Sequence, residues 1–355
     1  VDDSQTVAPN ARRKIALSPA LSVALDAARA SAALYVVAHH IAGTSGAFGR
    51  AGLLFRFGQE AVLVFFLLSG FVIFANEHHR TTGTRAYFLR RVRRIYPPLI
   101  IAMLVSIVVV WSNGSLQADF SWKELIGNLL SLQDISFLKP GVIVEPFLGN
   151  DPLWSLSYEV AFYVFFPIVM KGWNRNPVRT DHLIGLVCCI AYGTYALVPN
   201  HFSLVVAYFL LWWTGAMAAA TFGQGYRTFL GQIRTLGWMA MLCIVALVVV
   251  LLVGSRGLGY YPVLQLRHFI FGILLVILLF GPIGAALVRW IAPFKSAAVP
   301  IASISYGLYI LHFPLLIRWE FAHSAGGFAV AVGALLVLAW FVDRYLPTIL
   351  PRAPR

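Results

Sequence analysis

Apolar residues run along this chain in blocks of about 20, and the few polar residues inside the blocks recur at helical spacing. Ten blocks are long enough to cross a bilayer as helices, at approximately 22–42, 59–77, 95–113, 153–171, 182–199, 203–222, 234–254, 264–283, 300–319 and 325–346. The alternating ten-residue segments of a membrane β-barrel are absent. The first block is the most polar; its core reads LDAARASAALYVVAHH over 25–40. At about 100° per residue, His40 returns to within about 20° of Arg29, with Ala33 and Val36 between them. His39 points about 80° away. At about 1.5 Å per residue, Arg29 and His40 lie about 16 Å apart along the axis. Ionisable groups at such depth are costly and mark functional sites. The plain alternative is that His40 only hydrogen-bonds a neighbouring helix.

Composition turns this pattern into a class. Of 355 residues, 59% are hydrophobic and 12% charged, against about 25% charged in a soluble domain. Mean hydropathy is +0.78. The expected fold is all-α, a polytopic membrane bundle of about ten transmembrane helices. It occupies 22–346 between an N-terminal tail (1–21) and a C-terminal tail (347–355). A net charge of +13 would suit nucleic acid, but the distribution of the charge assigns it to membrane orientation and implies no nucleic-acid partner. With the N-terminus inside, 20 of the 27 Lys and Arg fall on the inner side and 7 on the outer, so both termini are expected inside. Cys188, Cys189 and Cys243 lie in apolar runs and suggest neither a disulfide framework nor a metal site. The polar N-terminus lacks the apolar core of a signal peptide. No internal repeat is visible, which weighs mildly against common secondary-transporter folds.

Polar residues within the other blocks are the candidate chemistry. In GQEAVLVFFLLSGFVIF (58–74), Gly58, Ser69 and Gly70 are small enough to let helices approach closely, and Glu60 is expected to pair with Arg56 one turn away. In YFLRRVRRIYPP (87–98), Arg91 and Arg94 share a helix face, with Arg90 and Arg93 beside them. Four arginines and no lysine suit forked recognition of phosphate, whereas topology alone would accept either residue. Pro97 and Pro98 are expected to interrupt the helix. In DPLWSLSYEVAFYVFFP (151–167), Glu159 lies about two turns into the membrane from the outer side, with Phe162 and Tyr163 on its face. A carboxylate there must pair, become neutral or line water. In ISYGLYILHFPLL (304–316), Ser305, Tyr309 and His312 form one polar stripe. The outer connection 113–152 contains WKELIGNLLSL, expected to form an interfacial helix or cap. His78, His79, His182, His201, His268 and His323 carry no expected role.

Five of these segments resemble, in order, those of the membrane acyltransferase-3 family: LDAARASAALYVVAHH, FFLLSGFVI, YFLRRVRRIYP, PLWSLSYEVAFYVFFP and SYGLYILHFPLL. The family pattern reads LDGLRG–AA–V–H, FFVLSGF, RR–RRI–P, WSLSVEEQFY–FP and SY–LY–H–PL, and the match covers most of 25–316. The resemblance implies transfer of an acyl group, usually acetyl from acetyl-CoA, to a hydroxyl of a glycan, envelope polymer, lipid or secondary metabolite. It matches the family's first-helix Arg and His to Arg29 and His40, its R-x-x-R to Arg91 and Arg94, and the first Glu of its WSL–EE motif to Glu159. The second Glu of that motif is Val160 here. The expectation is an integral-membrane O-acyltransferase of a bacterial inner membrane, without a fused esterase-like domain and without a metal. Acyl-CoA phosphates would sit on Arg29, Arg90, Arg91 and Arg94. His40 would act as general base or acyl carrier and Glu159 would orient it, while Trp154, Tyr309 and His312 would line the pocket for a hydroxyl-bearing glycan or lipid-linked acceptor. The rival is a glycolipid transporter or flippase using the same cavity without chemistry.

Overall fold

The computed structural model describes residue 15 and residues 17–45, 49–80, 83–223 and 229–351. Most of the expected N-terminal tail and the end of the C-terminal tail lie outside them. In chain order the helices are α1 (Pro19–Ser45), α2 (Gly58–Glu77), α3 (Thr84–Ser112), α4 (Leu116–Asp119), α5 (Trp122–Leu129), α6 (Trp154–Trp173), α7 (Pro177–Leu197) and α8 (His201–Gly223). There follow α9 (Ile233–Val253), α10 (Val263–Phe280), α11 (Pro282–Ile291), α12 (Lys295–Ser303), α13 (Ser305–His312), α14 (Ala325–Trp340) and α15 (Leu346–Ile349). Among the described residues, nine helical stretches are long and apolar enough to cross a membrane. A tenth crossing arises if α12 and the stretch Ser305–Arg318, bent by 52°, form one broken span. The expected all-α bundle is therefore present, and the expected ninth span coincides with this bent pair. A single isolated bridge, Gln133 to Val144, is the β-pairing among these residues.

Helices in lipid gain little from burying apolar surface against one another, so close packing of small residues decides which pairs meet. The central pair is α2 with α8. A Cβ on Gly70 would lie 2.0 Å from the Trp212 carbonyl oxygen, and one on Gly215 would lie 2.1 Å from the Leu67 carbonyl oxygen. Each helix thus presents a glycine to the other's backbone, and a backbone cannot step aside as a side chain can. Gly70→Ala is expected to destabilise the bundle by about 3 kcal/mol, read as a lower midpoint of thermal aggregation in detergent. A variant as stable as the parent would show that the crossing tolerates separation. Peripheral helices turn large side chains outward, such as Leu104, Val108 and Leu251, which suits contact with lipid.

Two local expectations are corrected. The arginine segment does not precede the third helix; it forms the first turns of α3, which continues through Pro97 and Pro98. Two adjacent prolines remove the amide donors to the carbonyls of Arg93 and Arg94, and flanking turns carry the helix across. Glu60 does not pair with Arg56. It is buried, and its carboxylate takes the Nε–H of Arg267 on α10, so it ties α2 to a distant helix.

The connection between α3 and α6 forms a cap over one end of the bundle. Its α5 begins with a Ser121 side chain that accepts from the Glu124 amide, and Trp122, Ile126 and Leu130 on one side are exposed. The expected segment is thus a short helix with one apolar side exposed. Beneath it, Asp134 is fully buried with Lys139 Nζ at 2.5 Å and the Tyr158 hydroxyl at 2.6 Å. Burial opposes ionisation of Asp134, but Lys139 and His201 outweigh it and hold the carboxyl below the usual carboxylate range. The cap is thereby pinned to α6 and α8.

Candidate active site

The stripe read from the first helix does face inward. Ala33 and Val36 are buried, and His40 stands at the capped end of α1. Its ring lies 5.3 Å from the ring of His312 and 4.9 Å from that of Phe313, centroid to centroid. His312 is fully buried at the end of α13, where the chain passes into the π-helical turn Phe313–Arg318. Such turns are rare and recur at functional sites. His312 Nδ1 is 3.0 Å from the Leu308 carbonyl oxygen, which can only accept. Nδ1 therefore carries the hydrogen, and Nε2 presents a lone pair. That Nε2 is buried and has no hydrogen-bond partner among the described residues. A pair of imidazoles with one unused acceptor is suited to receiving a proton from a hydroxyl.

His39 has a different job. Its Nδ1 meets the Phe55 carbonyl oxygen at 2.5 Å, and its ring covers Gly58, where a Cβ would lie 2.2 Å from it. Together with the Tyr35 hydroxyl, which donates to the Leu54 carbonyl at 2.6 Å, it fixes the short segment leading into α2. Helical phase separates the two adjacent histidines as the sequence implied.

Glu159 is not the partner of His40. Its carboxylate accepts from the Tyr163 hydroxyl and, at 3.2 Å, from the Ser69 hydroxyl. No contact joins it to His40 among the described residues. It lies instead within electrostatic reach of Arg29, which also senses Asp26 and Arg94. The reason lies in helix phase: Glu159 shares its face with Tyr163 one turn on, and that face looks toward α2 and α3. The Tyr87 hydroxyl of α3 donates to the Tyr163 carbonyl at 3.0 Å and closes this contact.

Arginines gather at the opposite end of the bundle from the cap. Arg90 forks onto Glu77 with contacts of 3.0 and 2.5 Å, and Arg91 Nη2 joins it at 3.1 Å. The Arg91 guanidinium lies over the rings of Tyr87 and Tyr163. Arg93 donates to the carbonyls of Pro347 and Leu350. Arg94 is half exposed, over the Tyr306 ring at 5.5 Å and 3.9 Å from Asp343. Arg90, Arg93, Arg94 and Asp343 line a cavity of about 370 Å³. The four arginines thus point to different sets of partners, and Arg94 is the one most open to a ligand.

Between the two ends runs a line of polar groups. The Arg94 guanidinium lies over the ring of Tyr306, and α13 carries Tyr306, Tyr309 and His312 in turn toward the other end. The ring of Tyr309 lies 6.4 Å from that of His312. The Tyr309 hydroxyl sits 2.8 Å from both the Ser155 hydroxyl and the Pro152 carbonyl, so it anchors α13 to the start of α6. Ser305 donates back to Ala302 and does not enter the site. Trp154 is a correction. It packs under Lys139, whose Nζ is 4.0 Å from its ring, and against Phe66, apart from the Tyr309–His312 wall.

Sequence reasoning missed Glu77 and Asp343 as parts of the site. Glu77 carried a signal, because a lone acid closes α2 just before the basic start of α3. Asp343 carried none, since its role depends on where α14 crosses α13. Among the described residues, no group of three or more His, Cys, Asp or Glu is placed to hold a metal ion.

No solved structure matches the chain. Among curated proteins, acyltransferase MdmB of Streptomyces mycarofaciens is 36% identical over 144 residues, 39% of this chain and 36% of MdmB. Peptidoglycan O-acetyltransferase OatA of Listeria monocytogenes is 26% identical over 43% of this chain and 25% of OatA. SACOL0978 of Staphylococcus aureus, which bears an O-acetyltransferase name, is 25% identical over 90% of this chain and 53% of its own length. The chain therefore spans from a quarter to about half of these relatives. The family described as "Acyltransferase domain" matches residues 22–343, nearly the whole helical bundle, and the chain belongs to this acyltransferase-3 family.

Proposed function

We propose that the protein is a membrane O-acyltransferase that takes an acyl group, in the simplest case acetyl, from acyl-CoA at the arginine end. It passes the group to a hydroxyl of a glycan or lipid-linked acceptor at the capped end. The observation that carries this reading is the pairing of His40 with His312 at one end of a polar line whose other end is the arginine cavity. Arg94, with Arg91 and Arg90 behind it, receives the donor phosphates. The separation of about 16 Å between Arg29 and His40 along α1 is comparable to an extended pantetheine arm. A donor held by its phosphates could present its thioester beside His40.

In the transfer step, His40 takes the proton of the acceptor hydroxyl as the oxygen attacks the thioester carbonyl. The unpaired Nε2 of His312 accepts a hydrogen bond from the His40 ring and orients it, the task earlier given to Glu159. Collapse of the tetrahedral adduct breaks the C–S bond, and the proton on His40 passes to the departing CoA thiolate. The positive-inside distribution of Lys and Arg supports placing the arginine end in the cytoplasm. The relatives with O-acetyltransferase names support acetyl and a hydroxyl acceptor.

Binding of CoA to the purified full chain tests the donor half. Arg94→Ala is expected to weaken CoA affinity about tenfold or more, the loss of one charge-assisted contact. Arg94→Lys keeps the charge but not the fork and should fall between Arg94→Ala and the parent. Parental affinity in Arg94→Ala and Arg91→Ala alike would remove the arginine end from the donor site.

A further inference from the structure

We propose that Asp343 is a positioning residue that couples the donor cavity to the helix carrying His312, with one carboxylate oxygen assigned to each end. This rests on the reading that donor phosphates bind beside Arg94. Asp343 is largely buried in a second π-helical turn, Phe341–Tyr345, which continues α14. Its Oδ2 accepts the Gly307 amide at 2.7 Å. That amide belongs to the first turn of α13, where helix amides lack an intrahelical acceptor. One turn earlier on α14, Ala339 meets Gly307 so closely that a Cβ there would lie 2.6 Å from the Ala339 Cα. Asp343 and Ala339 together seat the first turn of α13, five residues before His312.

Its Oδ1 does something else. It is buried, makes no hydrogen bond among the described residues, and stands 3.9 Å from Arg94 Nη1 on the wall of the arginine cavity. At that distance it attracts the guanidinium without occupying its N–H groups. Arg94 is also held over Tyr306, the residue preceding Gly307. The carboxylate thus keeps the phosphate-binding guanidinium and the α13 backbone in one register. A fixed negative charge on the wall of an anion cavity also repels phosphate and limits CoA affinity, which favours release of the product CoA.

Two variants separate these tasks. Asp343→Asn removes the charge but keeps an oxygen for the Gly307 amide. Asp343→Leu removes both. Each is measured in the purified full chain for CoA affinity, with monodispersity in detergent as a folding check. Each is also measured in membranes of expressing cells for release of CoA from acetyl-CoA. Both variants should bind CoA about three- to tenfold more tightly, a Coulomb effect discounted for the half-exposed Arg94. The kcat of Asp343→Asn should stay at least about tenfold above that of Asp343→Leu, which strands the Gly307 amide. A merely structural aspartate would lower stability without tightening CoA. Unchanged or weaker CoA binding in Asp343→Asn, or equal kcat in the two variants, would overturn the coupling. Arg94→Ala in the same series keeps the readings apart. If it weakens CoA binding while Asp343→Asn fails to tighten it, the coupling alone is wrong. If Arg94→Ala has no effect, the donor site itself is misplaced.

Discussion

His40→Ala is expected to lower the rate of acyl transfer by about 10²–10⁴-fold, the usual contribution of a positioned base, while leaving CoA affinity at the parental value. The reason is spatial. His40 lies at the capped end of α1 against His312 and Phe313, whereas the arginine cavity is lined by α3, by the π-helical turn that follows α14, and by α15. His312→Ala should cost nearly as much, because the two imidazoles act on one proton. The double variant should then be little worse than either single one, as for residues that work as a unit. His39→Ala is expected to behave differently. It uncovers Gly58 and frees the Phe55 carbonyl, so it should reduce stability and spare most of kcat. Measured kcat and CoA affinity for the three variants check this. Full activity in His40→Ala would reject His40 as the base, and loss of turnover in His39→Ala alone would mean that the first helix presents its other histidine.

Glu159→Gln is expected to lower kcat/KM by about fivefold, with the change carried by KM for the donor. The amide can still accept from Tyr163 and Ser69, but it no longer attracts Arg29. Glu159 is part-buried and lies beyond ion-pair distance of Arg29, so the lost attraction is worth about 1 kcal/mol. Had Glu159 oriented His40 as the third member of a triad, its neutralisation would instead have lowered kcat by about 10⁴-fold. Steady-state kinetics over a range of acetyl-CoA separates the two outcomes, and a kcat loss with unchanged KM would restore the triad.

Sequence alone revealed what depends on one helix at a time. Hydropathy located the spans, and helical phase chose His40 over His39 and set Ala33 and Val36 on the buried stripe. It also placed Tyr163 beside Glu159. What it could not reveal depends on which helices cross. Glu60 was assigned to Arg56 because one turn is the only separation a single helix provides; the real partner, Arg267, comes from α10. Glu159 and His40 were expected to meet because both lie at depth, yet depth does not fix the direction around the axis. The face of Glu159 is set by the packing of α6 on α2 and α3, and His40 is set by α13. The break near 304 was equally hidden, since hydropathy reads 300–319 as one continuous block and composition does not record a bend of 52°.

The central claim is that donor and acceptor are used at opposite ends of one polar line. Membrane vesicles of the two orientations, sealed and prepared from expressing cells, test it most directly, with orientation fixed by the accessibility of a C-terminal tag. Labelled acetyl-CoA is supplied to the outside of each, and label is followed into acceptors on either side. Transfer should occur only in vesicles whose arginine end faces the added acetyl-CoA, and the acylated acceptor should appear on the opposite side, where His40→Ala abolishes it. Transfer with both substrates confined to the arginine side, and none across the membrane, would contradict it.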